Sequence, residues 1–351
     1  MLCAASWVFA VPSAVVAACV VCVGLIDPAE PHWLGWSVDT ASNLAAQALC
    51  AGAVAVIAAG LSRSWAACAA ALGAVLLLAV QLLGSPRLES NAGATGVPVR
   101  VVVFNAFSGT TRPRAQLEAI IGSGADVLAI IEPSAELVRL IESDPALLEV
   151  YPYSSVPSGW VFAGPLIVSR HPVRVDADGF GMVWREVVSA ATAEAGEGSG
   201  LERQAVRLSR IDHPAGPFVF VACQFRSPRG PGRWAAGNGQ ARSLGAALRV
   251  VRSRMAVPMI VGGDFNAVPL SSRSRQLSDR AGLARAKPVL AAAGTFPAWL
   301  PWPATLSIDG ALASGGVRVR SWRVVPWPGS DHHAIETELL LPAHVPPAMD
   351  R

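Results

Sequence analysis

Lysine is almost absent from this 351-residue chain: Lys287 stands alone, and nearly every other base is arginine. Cysteine is scarce where it would matter. Five of the six, Cys3, Cys19, Cys22, Cys50 and Cys68, fall in the first 70 positions, and Cys223 alone lies beyond them. That excludes an intradomain disulfide and a thiolate metal site from everything after position 87. Charge is missing altogether from Leu2 to Ile26, from Ala41 to Ser62 and from Ser64 to Pro86. The chain also lacks internal repeats, a basic helix and an interleaved aromatic stripe of the kind that tracks single strands.

What is present is apolar. Hydrophobic residues make up 52% of the chain and charged ones 15%, too far from the usual balance for an ordinary soluble enzyme. The three uncharged stretches are each long enough to cross a bilayer as a helix, so residues 1–86 are expected to form a membrane domain with three transmembrane helices. Positions 87–97 read as a linker, 98–343 as a catalytic domain and 344–351 as a tail. Asp27, Glu30 and Asp39 lie between the first two stretches, and Arg63 between the second and third. Positive-inside logic puts Arg63 in the cytoplasm and delivers the remainder, which carries a mild positive surplus, to the extracytoplasmic side of a multi-pass cell-membrane protein. Three spans without internal charge offer no path for a transported solute.

Beyond the linker, strand-like and helix-like runs alternate. Val99–Phe104, Val127–Ile131, Leu166–Val168, Ala205–Ile211, Phe218–Cys223, Met259–Val261, Val317–Val325 and Ala334–Leu340 read as strands. Arg114–Gly122 and Gln240–Arg254 read as helices, and Ala191–Gly200 as an exposed loop. Strands outnumber helices, most helices look short, and the pattern predicts two packed sheets with helices on their outer faces.

Four strands end on a polar residue: Asn105, Glu132, Gln224 and Asp264. Strand ends lying side by side gather such residues at one rim. Gly262-Gly263-Asp264-Phe265-Asn266 places a carboxylate and an amide at the end of a buried run. Ser330-Asp331-His332-His333 adds a second carboxylate suited to a hard cation and an imidazole that exchanges protons near neutral pH.

In order, Phe104-Asn105, Ile131-Glu132, Ser169-Arg170-His171-Pro172, Gly263-Asp264-Phe265-Asn266, Ile308-Asp309 and Ser330-Asp331-His332 resemble the endonuclease/exonuclease/phosphatase superfamily over roughly Val97 to Pro342. That group includes pancreatic-type deoxyribonucleases, abasic-site endonucleases, inositol-phosphate phosphatases and bacterial sphingomyelinases. The resemblance implies an α+β fold, a four-layer α/β/β/α sandwich of two packed mixed sheets, here preceded by the three membrane helices. It also implies hydrolysis of a phosphodiester or phosphomonoester with Mg²⁺ or Mn²⁺, the substrate being nucleic acid, a lipid headgroup or an envelope phosphate.

Carried over, Glu132 would be the principal metal ligand, assisted by Asn105 and Asp331. Asp264 and Asn266 would orient water and phosphate, Asn105 and Gln224 would help hold the phosphate, and His332, backed by Asp309, would handle a proton or neutralise charge. Either Asp264 or His332 would take the proton. Two positions depart from the family pattern. Gln224 stands where a His or Tyr usually contacts the phosphate, and Gly310 follows Asp309 where relatives place a bulkier residue, implying a looser strand edge. Gln224 raises the alternative of a binding module without chemistry, while Arg226, Arg229 and Arg233 beside it could grip phosphate or merely form a solvated loop. Trp299 and Trp302 could dip into a membrane interface. The expected partners are the phosphate ester and the lipid bilayer; no protein partner can be inferred.

Overall fold

The computed structural model describes residues 2–25, 32–90, 96–156, 164–174, 206–214, 216–255, 257–289 and 291–342. The expected loop at 191–200 and tail at 344–351 lie outside the described residues, as do positions 91–95 of the linker.

Four helices come first: α1 (Leu2–Cys22), α2 (Trp33–Ser42), α3 (Ala45–Leu61) and α4 (Trp65–Gly84). Their packing is inside out relative to a soluble bundle. Ala45, Ala48, Gly52, Ala55 and Ala59 of α3 and Ala67, Ala71 and Ala74 of α4 are buried, at the spacing of one helix face. Val54, Ile57, Leu61, Leu72, Leu76, Val80 and Leu83 point outward. Small residues let helix backbones approach closely, and the bulky apolar ones are left on the surface. Helix α4 is long and apolar enough to cross a membrane, with a mean hydropathy of 2.4 and only 22% of its most apolar window buried. Helices α2 and α3 pass the same test only as a pair bent by 62°, and the apolar stretch Ser6–Cys22 is shorter. The described residues thus hold one or two helices of spanning length, not clearly three.

Among the described residues, the remainder forms two six-stranded mixed sheets. The first runs β11 (Arg318–Val325), β12 (Ala334–Leu341), β1 (Val97–Asn105), β2 (Val127–Ile131), β4 (Leu166–Ser169), β3 (Tyr153–Ser154). The second runs β5 (Val173–Arg174), β6 (Val206–Ile211), β7 (Phe218–Gln224), β8 (Met259–Asp264), β10 (Asp309–Ser314), β9 (Leu283–Arg285). Strands buried on both faces need continuous apolar runs, and the alternation of side chains sorts each run into two cores. Val99, Val101 and Val103 meet Phe218, Phe220 and Ala222 between the sheets. Val102 and Phe104 turn outward to α5 (Pro113–Gly122), α6 (Ala135–Ser143) and α7 (Pro145–Val150). On the far side, Val219, Val221 and Cys223 pack under α8 (Pro231–Met255) and α9 (Ser272–Ala281). Each buried Val or Phe side chain among these contributes about 1.5–3 kcal/mol.

Two expectations need correction. Helix α8 runs for 25 residues and begins nine positions before the expected start at Gln240, although the other helices over the sandwich are short as expected, 6 to 10 residues in α5, α6, α7 and α9. Asp39, expected in the segment between the first two spans, lies on α2, is 5% exposed and faces the sandwich. Its carboxylate accepts hydrogen bonds from the Trp234 indole at 2.6 Å and from the Ser272 amide and hydroxyl, both at 2.8 Å. A buried carboxylate demands such donors, and only α8 and α9 supply them here. Around it, Trp36 Nε1 donates to Pro228 O at 2.7 Å, Gln47 Nε2 donates to Pro303 O at 2.7 Å, and Leu270 joins the bundle core of Val16, Ala17, Val20 and Leu78.

Asp39→Ala would strand three buried donors. We expect it to cost about 3 kcal/mol, read as a lowered melting temperature of the detergent-solubilised full chain, with Asp39→Asn recovering part of the loss. An unchanged melt would show that α2 does not depend on this contact.

Candidate active site

Strand register explains how distant positions meet. Parallel pairing sets Gln224 beside Asp264, and antiparallel pairing sets Asp309 on its other side. In the facing sheet Asn105 pairs with Ile131, so Glu132 emerges at the same rim, and β12 brings Asp331 and His332 in just before Ala334. Gly263 permits this: a Cβ there would lie 1.9 Å from Cys223 O, so no larger residue fits. At Gly310 a Cβ would stand 2.8 Å from the Phe265 ring. Glycine therefore seats Phe265 under the strand, and the edge is filled rather than loose.

These residues line a cleft of about 600 Å³. Asn105, Glu132, Gln224, Asp264, Asn266, Asp331 and His332 all reach it, and Asp309 sits directly behind His332. Every site residue expected from the sequence is thus in one place. Glu132 and Asn266 hold left-handed backbones at φ 49° and 48°. Asn tolerates that region, but Glu does so only where its surroundings insist, a strain typical of functional positions.

Asp264 is the most heavily bonded member. Its Oδ1 accepts from the Asn266 amide at 2.8 Å, and its Oδ2 accepts from Asn105 Nδ2 at 3.2 Å and Asn266 Nδ2 at 3.1 Å. Burial first, and the neighbouring Asp309 charge second, raise its pKa well above the ordinary carboxylate range. His332 Nδ1 lies 2.8 Å from Asp309 Oδ2, leaving Nε2 toward the cleft, 3.9 Å from Asp331. Burial pulls the imidazole down, but Asp309, through its charge and hydrogen bond, and then Asp264 and Asp331, lift it to about 9. Ser330 Oγ ties this loop to β1 by donating to Asn105 O at 2.6 Å.

At the cleft, Gln224 donates one of its two amide N–H groups to Glu132, orienting that carboxylate. Arg226, Arg229 and Arg233 do line the cleft, and Arg233 lies in the first turn of α8 rather than in a loop. Ser169-Arg170-His171-Pro172 does not come near. His171 stands 3.7 Å from Asp126, at the opposite end of β2 from Glu132.

Two contributors escaped sequence reading. Phe296 lies 4.8 Å from the His332 ring, centre to centre. Arg273, buried on α9, donates to Arg226 O at 2.8 Å, Phe265 O at 3.2 Å and Asn266 O at 3.3 Å, clamping the loops that carry the site. Nothing in Ser-Arg-Ser-Arg-Gln marks one arginine as buried.

The donor set suits a hard divalent cation. Asp264, Asp309 and His332 offer ligand atoms within 4.8 Å of one another, Glu132 and Asp331 add carboxylates at the same cleft, and the buried Asp309 Oδ1 has no hydrogen-bond partner. Oxygen donors of this kind, with room for water, are what Mg²⁺ or Mn²⁺ takes.

A family model described as Endonuclease/Exonuclease/phosphatase family matches residues 102–332. Among solved structures, the endonuclease/exonuclease/phosphatase from Bacteroides vulgatus is similar at 17% identity over 70% of this chain and 99% of that one, with a TM-score of 0.50. The endonuclease/exonuclease/phosphatase from Beutenbergia cavernae DSM 12333 is 20% identical over 71% of this chain and 73% of that one, TM-score 0.46. A beta toxin mutant from Staphylococcus aureus with bound magnesium ions is 14% identical over 69% and 99%, TM-score 0.46. No curated protein matches the chain.

The His332 titration is a direct check. Its folded value stands above the ordinary 6.5, so protonated His332 contributes stability that is complete below about 6.5 and lost as pH rises through about 9. NMR of the imidazole in metal-free protein should show a midpoint near 9 that falls in Asp309→Asn. A midpoint indifferent to that change would remove Asp309 from its role.

Proposed function

The chain belongs to the endonuclease/exonuclease/phosphatase family, and from that premise we propose that it is a membrane-anchored, divalent-metal-dependent phosphoesterase. The observation that carries this reading is the cleft where Glu132, Asp264, Asp331 and His332 converge beside three arginines. Carboxylates with an imidazole hold a hard cation and move a proton, and arginines recognise a phosphate.

Glu132, Asn105 and Asp331 would hold Mg²⁺ or Mn²⁺, which when bound would polarise a phosphoryl oxygen. Asn105 Oδ1 already accepts from the Phe107 amide at 2.9 Å, leaving one lone pair. Protonated at neutral pH by virtue of its raised pKa, His332 presents a cation to charge developing on the phosphate. Asp264 is left as the acceptor for a proton from water, with Asn105 and Asn266 fixing its carboxylate.

The apolar outer faces of α3 and α4 support anchoring in a bilayer. Trp33 and Leu34 on α2 are 69% and 71% exposed, and in another segment Trp299 is 70% exposed, with Leu300 and Trp302 exposed in the same loop. These rings fit an interfacial belt at the membrane surface. They flank the cleft, because Pro228 and Phe296 belong to the segments that form its walls and that touch α2 or lead into the 297–303 loop. A cleft held there favours phosphate esters at the membrane surface, on the extracytoplasmic side if Arg63 is cytoplasmic.

The full chain should hydrolyse phosphodiesters or phosphomonoesters presented in vesicles when Mg²⁺ or Mn²⁺ is added and stop when the ion is chelated. Glu132→Ala and His332→Ala should each lower turnover by about 10²–10⁴. Bound Mn²⁺ without turnover on nucleic acid, phospholipid or sugar phosphate would instead favour a binding module. Anchoring has its own check: the chain should stay with membranes through an alkaline carbonate wash, and a reporter after Arg351 should read extracytoplasmic.

A further inference from the structure

A second cavity, about 270 Å³, lies where the helix bundle meets the sandwich and shares no lining residue with the catalytic cleft. Its walls are apolar: Ala45, Ala46 and Leu49 from α3, Leu82 from α4, and Leu270 and Val289 from the sandwich. Set into them are Arg87, Arg285 and Lys287, and among the described residues no Asp or Glu lines the cavity.

Three cations gathered without a carboxylate are costly. Arg285 is 6% exposed, its Nη2 donating to Ser274 Oγ at 2.7 Å while the guanidinium lies 5.6 Å from the Phe265 ring centre. Lys287 Nζ donates to Ala293 O at 2.5 Å and to Ser307 Oγ at 3.0 Å, which leaves one N–H. Among the described residues Arg87 donates only to the carbonyls of Ser85, at 3.1 Å, and Leu83. Burial, then mutual repulsion, lowers Arg285 to about 10 and Lys287 to about 8. Every neighbour solves part of the hydrogen bonding and none supplies negative charge.

The place in the fold says what would. The cavity's apolar wall is built from the start of α3 and the end of α4, helices whose outer faces leave Ile57, Val80 and Leu83 exposed. A soluble anion would leave that wall uncovered, and a neutral lipid would leave the cations uncompensated. We propose that this cavity binds one anionic phospholipid, its headgroup phosphate against Arg87, Arg285 and Lys287 and the first part of one acyl chain against Leu49, Leu82 and Leu270. At this volume the rest of the lipid lies outside, along the helices. The inference rests on the membrane part of the reading above and is independent of the phosphoesterase chemistry. The lipid is a fixture here, not a substrate.

Native mass spectrometry of the detergent-purified full chain tests it, with dioleoylphosphatidylglycerol and dioleoylphosphatidylcholine offered in equal amounts. The intact chain should retain one phosphatidylglycerol at least about tenfold over phosphatidylcholine. Arg87→Gln and Lys287→Gln, singly and together, should erase that preference, whereas Arg320→Gln on the exposed face of β11 should preserve it. Ala292→Phe, which narrows the apolar part, should lower retention of both lipids. Equal retention of the two lipids by the wild type, or a preference that survives both single changes, overturns the site. Turnover of a soluble phosphate ester should be unchanged in Arg87→Gln. Lipid retention without turnover in the wild type would strike the phosphoesterase reading and leave this one standing.

Discussion

Two carboxylates buried face to face are the constraint around which this molecule is arranged. Asp264 and Asp309 are register partners on adjacent strands, 2% and 1% exposed, where two like charges cannot both stand unassisted. The neighbouring structure answers that problem. His332 lies against Asp309, two carboxamides and a main-chain amide converge on Asp264, and the loop bearing His332 is tied back to β1 through Ser330. The arrangement that relieves the repulsion is also one that can hold a cation and exchange protons. Site and stability are therefore in tension, and the strained backbone at Glu132 belongs to the same compromise.

How much of this could be read beforehand depended on whether local pattern or tertiary pairing decides. Strands buried on both faces announced themselves, because Val101–Phe104 and Phe218–Cys223 are apolar at every position, and their polar terminators Asn105 and Gln224 marked the rim. Strand β10 did not. Asp-Gly-Ala-Leu-Ala-Ser has little intrinsic preference for extension and is held by pairing with β8 on one side and β9 on the other. Helix α9 was equally silent, since only Leu277 and Ala281 mark its apolar face. Helix α6 left a legible signal that went unread: Ser134 caps it by accepting from the Leu137 amide, and Leu137, Val138 and Ile141 repeat at helical spacing. For the site, residue types and order sufficed to name the members. Partners did not follow, as Gln224 shows: its chemistry permits a phosphate contact, yet the neighbouring strand end offers Glu132 first.

The boundary between the helix bundle and the sandwich is where one-dimensional reading is weakest. Hydropathy divides the chain at the linker, but it is blind to what the helices touch. Asp39 reads as a surface charge between two apolar runs, and its burial depends on Trp234 and Ser272, about two hundred positions away. No window of sequence contains both.

That contact reaches the cleft. Arg273 is a buried cation whose guanidinium grips the carbonyls of Arg226, Phe265 and Asn266, three residues of the segments that shape the site. Burial lowers its pKa to about 10, and the charges of Asp39 and Asp264 act in the opposite direction. The first of these two counter-charges, Asp39, comes from α2, an element of the N-terminal bundle rather than of the sandwich. Without α2, Trp234 and Ser272 would lose their acceptor, Leu270 its bundle core, and Arg273 a counter-charge just where it organises the loops. The helices are therefore not a tether to which an independent domain happens to be attached. They complete the electrostatics of the wall behind the cleft, and through the loop at Pro228 they bear on the arginines that line it.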